Sequence, residues 1–205
     1  RGFDADLANM SGEEKLAFFN LATKDLESDH ITLSGIFSSG TNIHAQISTP
    51  SGFTQFFKTS DAQVTIVLAH NLLKWEVIAE QSAYRKADLI AAELHQELRY
   101  LVDRYQHEPA QQIPVGKYDI VFGAAAVAEM LNMMSWIGFS GGSYKRGYSF
   151  TDSEDIGKRI FSDKFTLVDN PNRLETFPFS RDMMGIPRNK FPLFTKGVFQ
   201  GFTWY

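Results

Sequence analysis

Apolar residues recur at helical spacing through Leu16, Phe18, Phe19, Leu21, Ala22 and Leu26, behind Ser11-Gly12-Glu13-Glu14. A serine N-cap with a glutamate at the third helical position satisfies two of the first amides reciprocally, so a helix is expected over about residues 12–28. From His30 the period falls to two. Ile31, Leu33, Gly35 and Phe37 alternate with polar residues as far as Ser38-Ser39-Gly40-Thr41-Asn42, a cluster that reads as a turn. Ile43, Ala45 and Ile47 resume the alternation, Pro50-Ser51-Gly52 breaks it, and Phe53 to Thr59 and Ala62 to His70 are further β-rich runs. This describes an antiparallel meander, to which Trp75 to Gln81 adds a strand.

Ala87, Ile90, Ala91, Leu94, Leu98, Leu101 and Val102 then share one face at steps of three and four, the mark of a long amphipathic helix. Pro109 to Pro114 reads as a linker. Lys117 to Phe122 is a short run expected to form a buried strand entering the apolar helix Ala124 to Ile137, and together they are the most apolar unit of the chain. Gly138 to Gly147 reads as a loop, Asp155 to Phe161 as a short helical turn, and Phe165 to Val168 as a strand ended by Asp169-Asn170-Pro171. The stretch holding Pro171, Pro178, Pro187 and Pro192 is an irregular excursion, and Phe194 to Trp204 alternates as a closing aromatic strand. The expected class is α+β, in two parts. Residues 1–110 hold a helix, the meander and the long amphipathic helix, and residues 111–205 a strand, the apolar helix and an irregular β segment. There is no internal repeat.

Composition narrows the function classes. The 205 residues are 43% hydrophobic and 21% charged, a globular balance with enough chain to bury a core. Eighteen phenylalanines favour sheet surfaces over bundles. The absence of cysteine removes thiol chemistry, cysteine zinc sites and disulfides, and fits a cytoplasmic location. A net charge of −4 supplies no field to recruit nucleic acid or an anionic membrane. No apolar run approaches the roughly 20 residues of a membrane span.

Gly138-Phe139-Ser140-Gly141-Gly142 matches the G-x-S-x-G pattern of a nucleophile elbow, which needs a strand before the serine and a helix after it. Here an apolar helix comes first, so an ordinary Gly/Ser loop is the better reading. The same glycines with Lys145 and Arg146 suggest an anion cradle, but without P-loop spacing. The five histidines show no H-E-x-x-H spacing, and Glu93, His95 and Glu97 fit a solvated helix face. Glu129 stands alone among Ala124 to Met134. A carboxylate there faces out or works, since burying it without a partner is costly.

Residues 113 to 122, Ile-Pro-Val-Gly-Lys-Tyr-Asp-Ile-Val-Phe, the Ala/Val-rich helix, and Phe139-Ser-Gly-Gly-Ser-Tyr-Lys-Arg-Gly-Tyr-Ser-Phe150 follow in an order that resembles the TldD/PmbA (TldE) family. Phe165-Thr-Leu-Val-Asp-Asn-Pro171, Pro178-Phe179, Met184-Gly-Ile-Pro187 and Lys196-Gly-Val-Phe-Gln-Gly-Phe202 are similar to its later segments, and the likeness covers roughly residues 30 to 205. The resemblance implies a curved antiparallel meander with flanking helices, and a larger two-domain chain of which residues 1–205 are a central section. The family's proteins are also called modulators of DNA gyrase. In its TldD branch the apolar helix carries His-Glu-x-x-x-His, two zinc-binding histidines and a glutamate placed to activate water. The matching positions here are Ala128, Glu129 and Met133, so the resemblance is to the PmbA/TldE branch, which lacks the zinc motif.

What the resemblance implies is a cytoplasmic TldE-like subunit of a complex that degrades or processes unfolded or small peptides. It binds no metal itself, and zinc is expected only on a TldD-like partner. Glu129 is the catalytic candidate; Ser140, Gly141, Lys145 and Arg146 are candidate substrate-binding residues. Whether the chain is itself an enzyme stays open. The alternative is a non-enzymatic peptide- or protein-binding module that self-associates as a homodimer. A serine hydrolase would need His70 or His107 beside Ser140. No direct nucleic-acid or membrane contact is expected.

Overall fold

A computed structural model describes residues 2–48, 52–108, 111–173, 180–182 and 185–204. Pro50, Ser51, Pro109, Pro178, Phe179 and Met184, which figure in the turn, linker and family motifs above, lie outside the described residues. The class is α+β with antiparallel sheets. The chain divides into two compact units, Arg1–Pro114 and Val115–Tyr205.

In the first unit, α1 (Ala5–Ala8) is too short to be legible in the sequence and is capped by Asp4, whose carboxylate accepts from the amides of Asp6 and Leu7. The Lys86 amide also donates to that carboxylate and is the main cause of its lowered pKa. The helix predicted from Ser11 is α2 (Gly12–Ala22), opened by the expected capping box between Ser11 and Glu14. It ends six residues early because Thr23 caps it and Asp25 enters the left-handed region at φ 60°. Lys86 pairs with Glu14 and, as the main cause, holds its carboxyl down at about 2.

The meander corrects the sequence reading. Ser38 to Asn42 form no turn. They lie inside β1 (Ile31–Ser48), which pairs without a register break along β2 (Phe53–His70), from Ile31 opposite His70 to Ser48 opposite Phe53. The four runs expected over residues 31–70 are therefore one hairpin of two 18-residue strands. Small polar residues suit a turn and an exposed ladder alike. The partner decides: Ser39 faces Ala62, and Asn42 reaches across to donate to Asp61 at 2.8 Å. β3 (Glu76–Ala83) pairs with residues 62–69 only, giving the order β1-β2-β3.

α3 (Ala91–His107) starts after a 3-10 turn at Lys86–Asp88, four residues later than the apolar steps suggest. It buries Leu94, Leu98 and Val102. With Phe18, Ala22 and Leu26 they form one core with Val64, Ile66, Leu68, Val77 and Ala79 on the sheet. Gly35 is needed there, since a Cβ would come within 2.8 Å of the Phe19 ring and 2.5 Å of the Thr65 carbonyl.

In the second unit, the strand expected over Lys117 to Phe122 is absent. That segment takes no strand pairing among the described residues, and its side chains are exposed, Val121 by 99%. An apolar run alone does not distinguish a buried strand from an uncovered segment; a neighbouring strand must exist to bury it. α4 (Ala124–Ile137) has the expected bounds but no fully buried residue. The loop after it contains a short helix, α5 (Gly141–Lys145). The helical turn expected over Asp155 to Phe161 is a 3-10 turn at Ser153–Asp155.

β4 (Leu167–Asp169), β5 (Phe191–Thr195) and β6 (Val198–Phe199) make a second antiparallel sheet. The single closing strand expected over Phe194 to Trp204 folds back instead: Thr195 faces Val198, and Lys196 and Gly197 both take positive φ, as a two-residue hairpin turn requires. Phe139, Leu193, Phe194, Phe199 and Phe202 are the core of this unit. Among the described residues no helix is long and apolar enough to cross a membrane.

Candidate functional site

The candidate residues fall on α4, on α5 and on the joint between them. α4 has no side-chain N-cap, and its one charged residue, Glu129, is exposed. Ala128 is exposed as well, and Met133 is 59% exposed. The positions at Ala128, Glu129 and Met133 thus present one carboxylate, a methyl group and a thioether to solvent. Among the described residues no three His, Asp or Glu side chains come together as a metal group.

Ser140 is the N-cap of α5, its hydroxyl accepting from the Ser143 amide at 3.4 Å. Its backbone bridges to Thr203, where the Gly141 amide donates to the Thr203 carbonyl at 2.7 Å. The Ser143 hydroxyl donates to the Trp136 carbonyl at 2.7 Å, tying α5 to the last turn of α4. The Gly138 carbonyl accepts from the hydroxyls of Ser149 at 3.0 Å and Thr151 at 2.7 Å. These bonds fix the α4–α5 joint against the closing segment. A helix follows the G-x-S-x-G serine after all, yet the hydroxyl is spent on capping it.

Gly141 is buried, and a Cβ there would meet the Trp204 ring at 2.4 Å. Its place in the structure is close packing. Lys145 and Arg146 lie exposed at the other end of α5, and the Lys145 ammonium sits 5.6 Å from the Tyr144 ring centre. Five residues of helix separate them from Ser140, about 8 Å at 1.5 Å per residue. Glu129 stands farther off, eight residues before the end of α4, about 12 Å along its axis. The structure therefore places Ser140 and Gly141 at the α4–α5 joint and leaves Glu129, Lys145 and Arg146 exposed to solvent.

The histidines named for a hydrolase belong to the first unit and have local partners. The His70 Nδ1 accepts from the amides of Leu72 and Leu73 at 3.2 and 3.0 Å. The His107 Nδ1 lies 2.9 Å from the Asp103 carbonyl oxygen. Sequence reasoning missed the ion pair of Arg188 and Asp169, 2.8 Å across a partly buried contact that ties the proline-rich excursion to β4. The only signal was the aspartate at the strand end.

Residues 115–205 match the family of the PmbA/TldA metallopeptidase C-terminal domain. The match spans the second unit, which is similar to that C-terminal domain. Solved structures extend the likeness in fold to the whole chain. A proposed modulator of DNA gyrase from Bacteroides thetaiotaomicron is similar at a TM-score of 0.81 and 20% identity, over 98% of this chain and 46% of that one. A counterpart from Thermotoga maritima gives 0.81 and 15%, over 100% and 48%. TldE from Thermococcus kodakarensis gives 0.67 and 18%, over 94% and 43%. The chain spans about half the length of these structures. No curated protein is significantly similar to it.

Proposed function

We propose that this chain is part of a TldE-like subunit of a cytosolic metallopeptidase complex acting on unfolded or small peptides, with the zinc chemistry on a TldD-like partner. The observation that carries the reading is the donor set on α4. A zinc site needs three or four nitrogen, sulfur thiolate or carboxylate ligands, and Ala128, Glu129 and Met133 offer one carboxylate. The residues present do not fit the metal.

Glu129, exposed on an otherwise uncharged helix, is left to meet substrate or partner. Lys145 and Arg146 add positive charge at the end of α5, suited to a peptide carboxylate. The test is metal content and peptidase activity of the chain alone and mixed with a zinc-bearing TldD homologue, beside Glu129→Gln. The expected result is no metal alone and activity on mixing, reduced in the variant. Stoichiometric zinc with activity in the chain alone, or inertness in every mixture, overturns the reading.

A further inference from the structure

The turn between β2 and β3 is fastened by one side chain. His70 is the last residue of β2, and its amide donates to the Trp75 carbonyl at 2.9 Å while its carbonyl accepts from the Lys74 amide at 3.0 Å. Within the loop so closed, the amides of Leu72 and Leu73 both donate to Nδ1 of the His70 ring, at 3.2 and 3.0 Å. Lys74 holds φ 59°, a left-handed conformation that a lysine keeps where the surrounding bonds fix it. The imidazole is also held from the side. Its centre lies 5.2 Å from that of the buried Trp75 ring and 5.9 Å from that of His30. Trp75 in turn lies 6.1 Å from Tyr105 of α3 and belongs to the core of the first unit.

An imidazole accepts at Nδ1 only while that nitrogen is unprotonated and the ring proton sits on Nε2. We infer that His70 is an acid-sensitive clasp, in which a proton taken from solvent at Nδ1 releases the Leu72 and Leu73 amides and loosens the β2–β3 turn. Protonated, the ring would point a third N–H at two N–H donors with no acceptor among them. The loop gives way rather than the ring. An imidazolium is attracted to the face of Trp75, whereas Leu72 and Leu73 are 64% and 56% exposed and their amides can turn to water. Histidine is the side chain that ordinarily changes charge between about pH 8 and 5.

The charged and titratable groups nearby do not neutralise such a cation. Asp29 and His30 stand at the entry to β1, Lys74 and Glu76 flank the turn, and Tyr105 faces Trp75 from α3. Asp103 and His107, also on α3, pair with each other. Among the described residues no carboxylate lies within ion-pair distance of His70. His30, gaining a proton in the same range, would add a like charge beside it. The inference does not depend on the zinc-deficient reading of α4.

The test is nuclear magnetic resonance of the chain between about pH 8 and 5, following the His70 ring and the Leu72 and Leu73 amides. Ring and amides should titrate with one midpoint, and amide protection, corrected for intrinsic exchange, should fall at least about fivefold on the acid side. His70→Asn keeps a side-chain acceptor that does not titrate, as in an Asx turn, so both amides should stay protected across the range. His70→Ala should leave them unprotected throughout. If His70→Ala folds poorly by circular dichroism, the unmodified chain and His70→Asn decide. Amides indifferent to pH in the unmodified chain, a transition that survives in His70→Asn, or one abolished by His30→Gln overturns the inference.

Discussion

α3 and α4 are helices of similar length with opposite fates. α3 carries Glu, Arg, Asp and His along much of its surface, yet its single stripe of Leu94, Leu98 and Val102 is buried against a sheet. α4 is apolar on nearly every side, and its contact with the phenylalanine core is through half-buried Met134. Burial follows the surface available to pack against, not the hydrophobicity of the segment. The meander offers α3 a continuous apolar face; the second unit offers α4 a five-residue helix and a short sheet.

The contrast can be broken by truncation. Leu98→Ala, at a site with no exposure, should lose about 2–5 kcal/mol of stability in urea unfolding, the range for a buried leucine cavity. Trp136→Ala, a larger deletion at a 76% exposed site, should change stability by less than about 0.5 kcal/mol. Equal losses would mean that α4 is packed against something. A sharper probe within the second unit is Gly197→Ala. At φ 78° a Cβ would come within 2.0 Å of the Phe161 carbonyl oxygen, so a loss of about 1–3 kcal/mol is expected from strain before any steric shift.

Smaller effects attach to the start of α2. Ser11→Ala should cost about 1 kcal/mol, the usual worth of an N-cap. Glu14 is depressed to about 2 chiefly by Lys86, so its contribution is present above the ordinary carboxylate pKa of 4.5 and is lost as pH falls toward 2. The slope of stability against pH between about 5 and 2 should therefore flatten in Glu14→Gln. An unchanged slope would show that the exposed Glu14–Lys86 pair contributes nothing in solution.

Local chemistry made some elements legible. The Ser11 and Glu14 box, the stripe of α3 and both ends of α4 are readable because a cap, a period and a glycine act within one or two turns. What failed depended on partners distant in sequence. Ser38 to Asn42 have a turn's composition, and only Thr59 to Gln63 opposite them make them strand. Lys117 to Phe122 have a buried strand's composition, with no strand beside them among the described residues. At the site, the absence of imidazole at residues 128 and 133 was readable from the chain, whereas the capping role of Ser140 and the packing of Gly141 under Trp204 needed the closing segment in place.

The two ends of β2 differ in support. Residues 62–69 are clasped between β1 and β3, while residues 53–61 have β1 as their one strand neighbour among the described residues, with the Ser60 amide also donating to the Gly2 carbonyl at 3.0 Å. The backbone amides of the clasped half can exchange with deuterium only by opening the core, those of the ribbon by a local separation of two strands. The same strand thus spans a gradient of exchange lifetimes, longest beside β3 and shortest toward Phe53.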